Sequence, residues 1–174
     1  MASSRQVAVA ILVIPSSSKP QFLVVSSRKH ANRFVLPKGG IEQGETGQEA
    51  ALREAWEEGG LITKTATHLT HLLTISDPSP HILSPTSDPA SPSFVASAKY
   101  HFELFSLPEE SATLDEKSGG SLAREWPESK ERSRKMVHGW EELRKTVSWG
   151  RRSELMQQAV EQAELYLEGR KSEL

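Results

Sequence analysis

Eight consecutive apolar residues, Val7 to Ile14, make the longest such run in the chain. β-Branched residues dominate it and Pro15 stops it, so it predicts a strand buried on both faces rather than a short helix. Gln21–Ser26 predicts a second strand after the turn from Pro15 to Pro20, and Arg33–Leu36 a short third strand ended by Pro37. The first helix is predicted from Thr46, where Thr46-x-x-Glu49 spells a capping box and Ala50, Ala51, Leu52, Ala55 and Trp56 supply an apolar side before Gly59-Gly60 ends it. Leu69–Ile75 and Lys99–Leu107 read as strands, the second alternating Tyr100, Phe102, Leu104 against His101, Glu103, Phe105. Arg132–His138 predicts a last strand and Gly139–Val147 a short helix. Arg151–Gly169 predicts a long amphipathic helix carrying Leu155, Ala159, Ala163 and Tyr166 at helical spacing. Ser76–Ser97 holds five of the ten prolines and seven serines, a composition expected of a mobile loop, and Glu109–Gly120 reads as a second surface excursion. Interleaved strands and helices over 174 residues predict one α/β domain, a mixed central sheet with helices on both sides.

Composition narrows the chemistry. The chain has no cysteine, which excludes a disulfide framework, a thiolate zinc site and a cysteine nucleophile. An eight-residue apolar run falls far short of the ~20 residues that span a bilayer, and the expectation is a soluble protein of the cytosol or nucleus. The net charge of −2 conceals a segregation. Met1–Lys38 carries six basic residues and no acidic one; Gly39–Gly60 carries six glutamates against Arg53 alone. Such an arrangement suits a site that holds a polyphosphate on cations and a metal on carboxylates.

The acidic block has internal order. Glu54, Glu57 and Glu58 stand at i, i+3 and i+4, so three carboxylates crowd one helix face. Like charges so placed repel unless a cation sits among them, and Mg²⁺ is the natural oxygen-liganded filler, with Mn²⁺ as a substitute. Arg53, four residues from both Glu49 and Glu57, is expected to steady them as a rail of ion pairs, and Gly39 and Gly40 to let the backbone turn tightly toward the metal. These residues alone do not separate the roles of the three glutamates.

The stretch Gly39–Leu61, GGIEQGETGQEAALREAWEEGGL, resembles a complete Nudix box, with Ala55 where a bulkier aliphatic is usual. The resemblance implies an α/β/α sandwich and metal-dependent hydrolysis of a diphosphate linked to another group. It implies Glu54, Glu58 and the backbone at Gly39 as metal ligands, and Glu57, beside Arg53, as the base; Glu57 and Glu58 could exchange roles. The flanks, Val25 to Gly40, Tyr100-His101-Phe102, Trp126-Pro127-Glu128 with Arg132 to Lys135, and Arg151 to Leu155, resemble the fungal diphosphoinositol polyphosphate phosphohydrolase branch. That likeness implies removal of the β-phosphate from inositol pyrophosphates and cleavage of diadenosine polyphosphates, with linear polyphosphate and mRNA caps as further substrates of some members. Ser27, Arg28 and Lys29 match the branch's substrate-contacting stretch; Arg5, Arg33, Lys38, Gly40, Arg132 and Arg151 complete the expected anion-binding set.

Two rival readings accompany this one. A hydrolase of dinucleoside polyphosphates, nucleotide sugars or caps would need an aromatic clamp, and a retired domain that only binds phosphate or a partner would need a lost box residue. His68 and His71 lack metal-ligand spacing, His101 reads as a strand histidine satisfied by a hydrogen bond, and Trp140 and Trp149 as core anchors. The expected partner is a small polyanion, with no membrane, no nucleic acid other than a cap, and a monomeric state.

Overall fold

In the computed structural model, the described residues are 4–16, 18–77, 86, 88, 90–92, 94, 97–112 and 120–172. Seven strands form one mixed sheet: β1 (Arg5–Ile14), β2 (Gln21–Ser26), β3 (Phe34–Val35), β4 (Lys38–Gly40), β5 (Thr67–Ser76), β6 (Ala98–Ser106) and β7 (Arg134–His138). The main path runs β3-β2-β1-β6-β5, with β7 on β2. Among the described residues only β1 and β6 pair in parallel, over nine residue pairs from Arg5↔Ala98 to Val13↔Ser106. Near its C-terminal end β1 pairs with β2 (Val13↔Phe22), while its N-terminal half pairs with β4 (Val7↔Gly40 to Val9↔Lys38).

Helix α1 (Gly47–Gly59) covers one face, and α2 (Trp140–Val147) and α3 (Ser153–Ser172) the other. The double burial expected of β1 is explained by its alternation. Val7, Val9, Ile11 and Val13 pack with Phe22, Tyr100, Phe102, Leu104, Leu143, Leu155 and Val160. Ala8, Ala10, Leu12 and Ile14 pack with Leu23, Phe105 and the alanines of α1. Alanine on both sides of that second layer lets α1 lie close to the sheet, which brings its carboxylates up to β4.

Most predicted elements are present with shifted ends. Helix α1 starts at the predicted cap: Thr46 Oγ1 accepts from the Glu49 N–H at 3.1 Å, and Glu49 accepts from the Thr46 N–H at 2.8 Å. Gly60 closes it in the left-handed conformation at φ 71°, donating its N–H to the carbonyls of Ala55 and Trp56.

Several expectations need correction. Lys38–Gly40 is a strand laid against β1, not a tight turn. Glu49 is taken up by the cap, and among the described residues Arg53 bonds Glu45, Glu54 and Glu57 instead. Trp56 is half-buried and Glu58 buried, so α1's apolar side is narrower than expected and includes a carboxylate. Of the proline- and serine-rich stretch, residues 78–85, 87, 89, 93, 95 and 96 lie outside the described residues, so the mobility expected of it is not addressed; Ser76 continues β5 and Asp77 is buried. Residues 113–119 of the second excursion also lie outside. No helix among the described residues is long and apolar enough to cross a membrane.

Candidate active site

Arg53 organises the carboxylate face. It donates from Nε to Glu45 at 2.8 Å, from Nη1 to Glu54 at 2.7 Å and to Glu57 at 3.4 Å, and from Nη2 to the Gly40 carbonyl at 2.8 Å. One guanidinium thus fastens the loop after β4 to the middle of α1, a fixed fork that lysine could not reproduce. Its bonds lower the pKa of Glu45 and raise that of Arg53 itself.

Glu54 lies against β4 so closely that a Cβ on Gly39 would stand 2.0 Å from its Oε1. Close approach, rather than a turn, is what requires glycine there. Glu58 is 4% exposed; its carboxylate accepts from Arg132 Nη2 at 3.0 Å and from the Lys38 N–H at 3.2 Å. Burial raises the pKa of Glu54 and pushes Glu58 up to about 7, with Arg132 and Lys38 opposing the latter shift. Among the described residues the Glu57 carboxylate has only the long contact to Arg53, and its side chain is 38% exposed.

The last turn of α1 is held from outside. The Glu57 carbonyl accepts from the Glu128 N–H at 3.0 Å, that of Glu58 from Trp126 Nε1 at 3.1 Å, and that of Gly59 from Arg134 Nη1 at 2.9 Å. Carbonyls that a helix end leaves without partners are answered by residues 126–134.

Beside this face lies a cleft of about 290 Å³ lined by Ser27, Arg28, Lys29, Lys38, Arg132 and Arg151, together with His30, Trp149 and Arg152. The fold therefore brings together six of the predicted anion-binding residues. Arg33 stands at the rim, 5.6 Å above the Trp149 ring, and Gly40 contributes the carbonyl that Arg53 holds. Arg5 is not among the lining residues; its guanidinium lies about 4.0 Å from where a Cβ on Gly40 would be.

Three of the cleft's arginines are already matched with carboxylates. Arg28 reaches Glu128 and Glu131, Arg151 reaches buried Asp77, and Arg132 reaches Glu128, Glu58 and the Ser26 carbonyl. Arg132 is thus a buried brace for Glu58 rather than a free cation facing the cleft. Sequence reasoning missed Arg152, which packs 5.3 Å from the Tyr100 ring and whose buried Nε has no hydrogen-bond partner among the described residues. It also misplaced Trp149: the indole donates to the Phe34 carbonyl at 2.8 Å and its ring forms part of the cleft wall, edge-on to His30. Trp140 does pack in the core, 4.7 Å from Phe22. Burial holds the Lys38 ammonium below the ordinary lysine value, with Arg152 and Arg132 adding to the effect and Glu58 opposing it. An arriving anion would relieve that crowding.

The carboxylates suit a hard divalent ion in their chemistry. Glu54 and Glu58 resist ionisation where they lie, and a divalent charge would supply what burial removes. As they stand, no three His, Asp or Glu side chains among the described residues converge tightly enough to hold a metal; Glu54 is bonded to Arg53 and Glu58 to Arg132.

Comparison with known proteins agrees with this geometry. The NUDIX domain profile matches residues 4–128. Over 55 residues, 32% of the chain, the sequence is 38% identical to diphosphoinositol polyphosphate phosphohydrolases 3-alpha and 3-beta of Mus musculus, and the match spans about a third of their length, 34%. Among solved structures, a C. elegans Ap4A hydrolase in a binary complex superposes with a TM-score of 0.61 at 17% identity, covering 95% of this chain and 98% of that one. An E. coli dihydroneopterin triphosphate pyrophosphohydrolase does so at 0.59 and 15%, covering 92% and 97%.

Proposed function

The chain belongs to the NUDIX family, and we propose that within it this protein is a metal-dependent hydrolase that removes the β-phosphate of diphosphoinositol polyphosphates. One observation carries the reading: two residues of the cation-lined cleft also bind a box carboxylate, Lys38 through its backbone N–H and Arg132 through its guanidinium, both to Glu58. A ligand dense in phosphate and poor in apolar surface fits such a cleft, because charged donors must supply its affinity.

Glu54, Glu58 and the Gly39 carbonyl would hold Mg²⁺, with Mn²⁺ as a substitute. When bound, the ion neutralises charge on the phosphoryl oxygens and favours ionisation of a water. Arg53 keeps the loop and Glu54 in register. Glu57, the least engaged of the three box glutamates, would orient the attacking water and take its proton. Lys38, Lys29 and Arg152 receive phosphates, and Arg28 and Arg151 do so by exchanging their carboxylate partners for ligand oxygens.

A second reading, cleavage of diadenosine polyphosphates, is favoured by Trp149, whose ring offers a nucleobase a flat surface in the same cleft. Phosphate release from diphosphoinositol pentakisphosphate, measured beside nucleotide release from diadenosine hexaphosphate with Mg²⁺ or EDTA, separates the two. Mg²⁺-dependent turnover of the inositol substrate, lost in Glu57→Gln, is expected. Turnover of the adenosine substrate alone would favour the second reading, and turnover of neither would favour a domain that binds without catalysis.

A further inference from the structure

On the sheet face covered by α1, beside the helix's first residue, five side chains of β5 and β6 join Gln6 of β1 in a chain of hydrogen bonds. A Cβ on Gly47 would lie 3.3 Å from Glu103 Oε1 and 3.7 Å from the His101 Cβ, which fixes the position. Glu103 is 5% exposed; it accepts from His68 Nε2 at 2.8 Å and from His71 Nδ1 at 2.7 Å. His101 Nε2 lies 2.7 Å from Gln6 Oε1, and the amide's orientation is set because Gln6 Nε2 donates to the Ser4 carbonyl at 3.1 Å. The two remaining ring nitrogens, His71 Nε2 and His101 Nδ1, both lie 3.1 Å from one atom, Thr74 Oγ1.

Counting protons shows what this arrangement lacks. A carboxylate and an amide oxygen only accept, so His71 carries its proton on Nδ1 and His101 on Nε2. In neutral imidazoles the other nitrogens are then lone pairs, and both meet a hydroxyl that owns a single proton. With His71 neutral, one lone pair faces the hydroxyl oxygen with nothing between. Burial lowers the pKa of His101, against the opposing pull of Glu103. Two imidazoles whose outer N–H groups are anchored to acceptors and whose inner lone pairs converge present the arrangement that protein ligands adopt around a late transition metal.

We propose that His71 Nε2 and His101 Nδ1 form a binding site for a divalent ion of the zinc class, with Thr74 Oγ1 swinging aside and water completing the coordination. Imidazole nitrogen selects zinc, copper or nickel over magnesium, so this site and the oxygen-lined carboxylate face would take different ions. The ring centroids stand 6.3 Å apart, and His71 is 46% exposed, so an ion can reach the pair from solvent. Bound there, it ties the edge strand β5 to β6.

The test is titration of the full chain with Zn²⁺, in excess Mg²⁺, followed by the ring ¹⁵N resonances of the histidines and by calorimetry. One equivalent of Zn²⁺ is expected to move the signals of His71 and His101. His71→Gln and His101→Gln should each weaken binding about tenfold or more, Glu103→Gln about 10–100-fold through the lost anchor, and Thr74→Val should leave it intact or tighter. Ring signals unmoved at millimolar Zn²⁺, or equal uptake by the two histidine variants, would overturn the proposal. So would a His71 ring found with protons on both nitrogens at neutral pH, since a proton would then fill the position. The readout does not depend on hydrolysis, so failure here leaves the proposed function untouched.

Discussion

At the scale of single residues, the three box glutamates differ less in chemistry than in what already holds them. Glu54 is gripped by Arg53, Glu58 by Arg132 and the Lys38 N–H, and Glu57 only at 3.4 Å. Glu57→Gln is therefore expected to lower kcat by about 10²–10⁴-fold with KM nearly unchanged, as loss of a general base does, which steady-state kinetics would show. Gly39→Ala tests a different point. Its Cβ would collide with Glu54, so the apparent Mg²⁺ affinity in activity titrations should fall about 10–100-fold while the fold persists. The sequence announced glycine and glutamate here but misread the reason, because a close approach between β4 and α1 depends on the alanines that bring them together.

At the scale of elements, α1 and β1 could be read from the chain because their signals are local: a capping box, a glycine stop, an alternation of valines and alanines. Thr46→Ala should cost about 1 kcal/mol of stability in urea unfolding, the usual value of an N-cap, and should loosen the turn that precedes the catalytic face. What escaped the sequence is long in separation. Arg132 meets Glu58 across 74 positions and Arg151 meets Asp77 across another 74, and no periodicity carries such information. Trp149 reads as a core anchor from the sequence because it and Trp140 flank a short helix. Its place in the cleft follows from the Phe34 carbonyl that fixes its indole, a partner 115 positions away.

For the molecule as a whole, segregated charge in the sequence became two adjoining surfaces in the fold, one acidic and one basic. Binding of a polyanion across them should weaken with salt, since opposed charges in a solvated cleft are screened within a Debye length of about 8–10 Å. Removing a cation that no carboxylate among the described residues pairs with, as in Arg152→Gln, should raise KM about 10–100-fold and flatten that salt dependence, measured as KM against ionic strength. Mg²⁺ at about a hundred times its Kd should stabilise the native state by roughly 2.7 kcal/mol, raising Tm by about 5–10 °C in a scan, and Glu54→Gln should abolish the rise.

The grip of residues 126–134 on the end of α1 also sets a timetable. The box is complete in sequence at Leu61, yet Trp126, Glu128, Arg132 and Arg134 follow it by about 70 residues. At roughly 5–20 residues per second, a ribosome exposes the carboxylates some 4–15 s before the residues that brace them. A nascent chain would carry every letter of the box through that interval without a formed active site. Catalytic competence arrives only once the brace has been made and can reach back and dock.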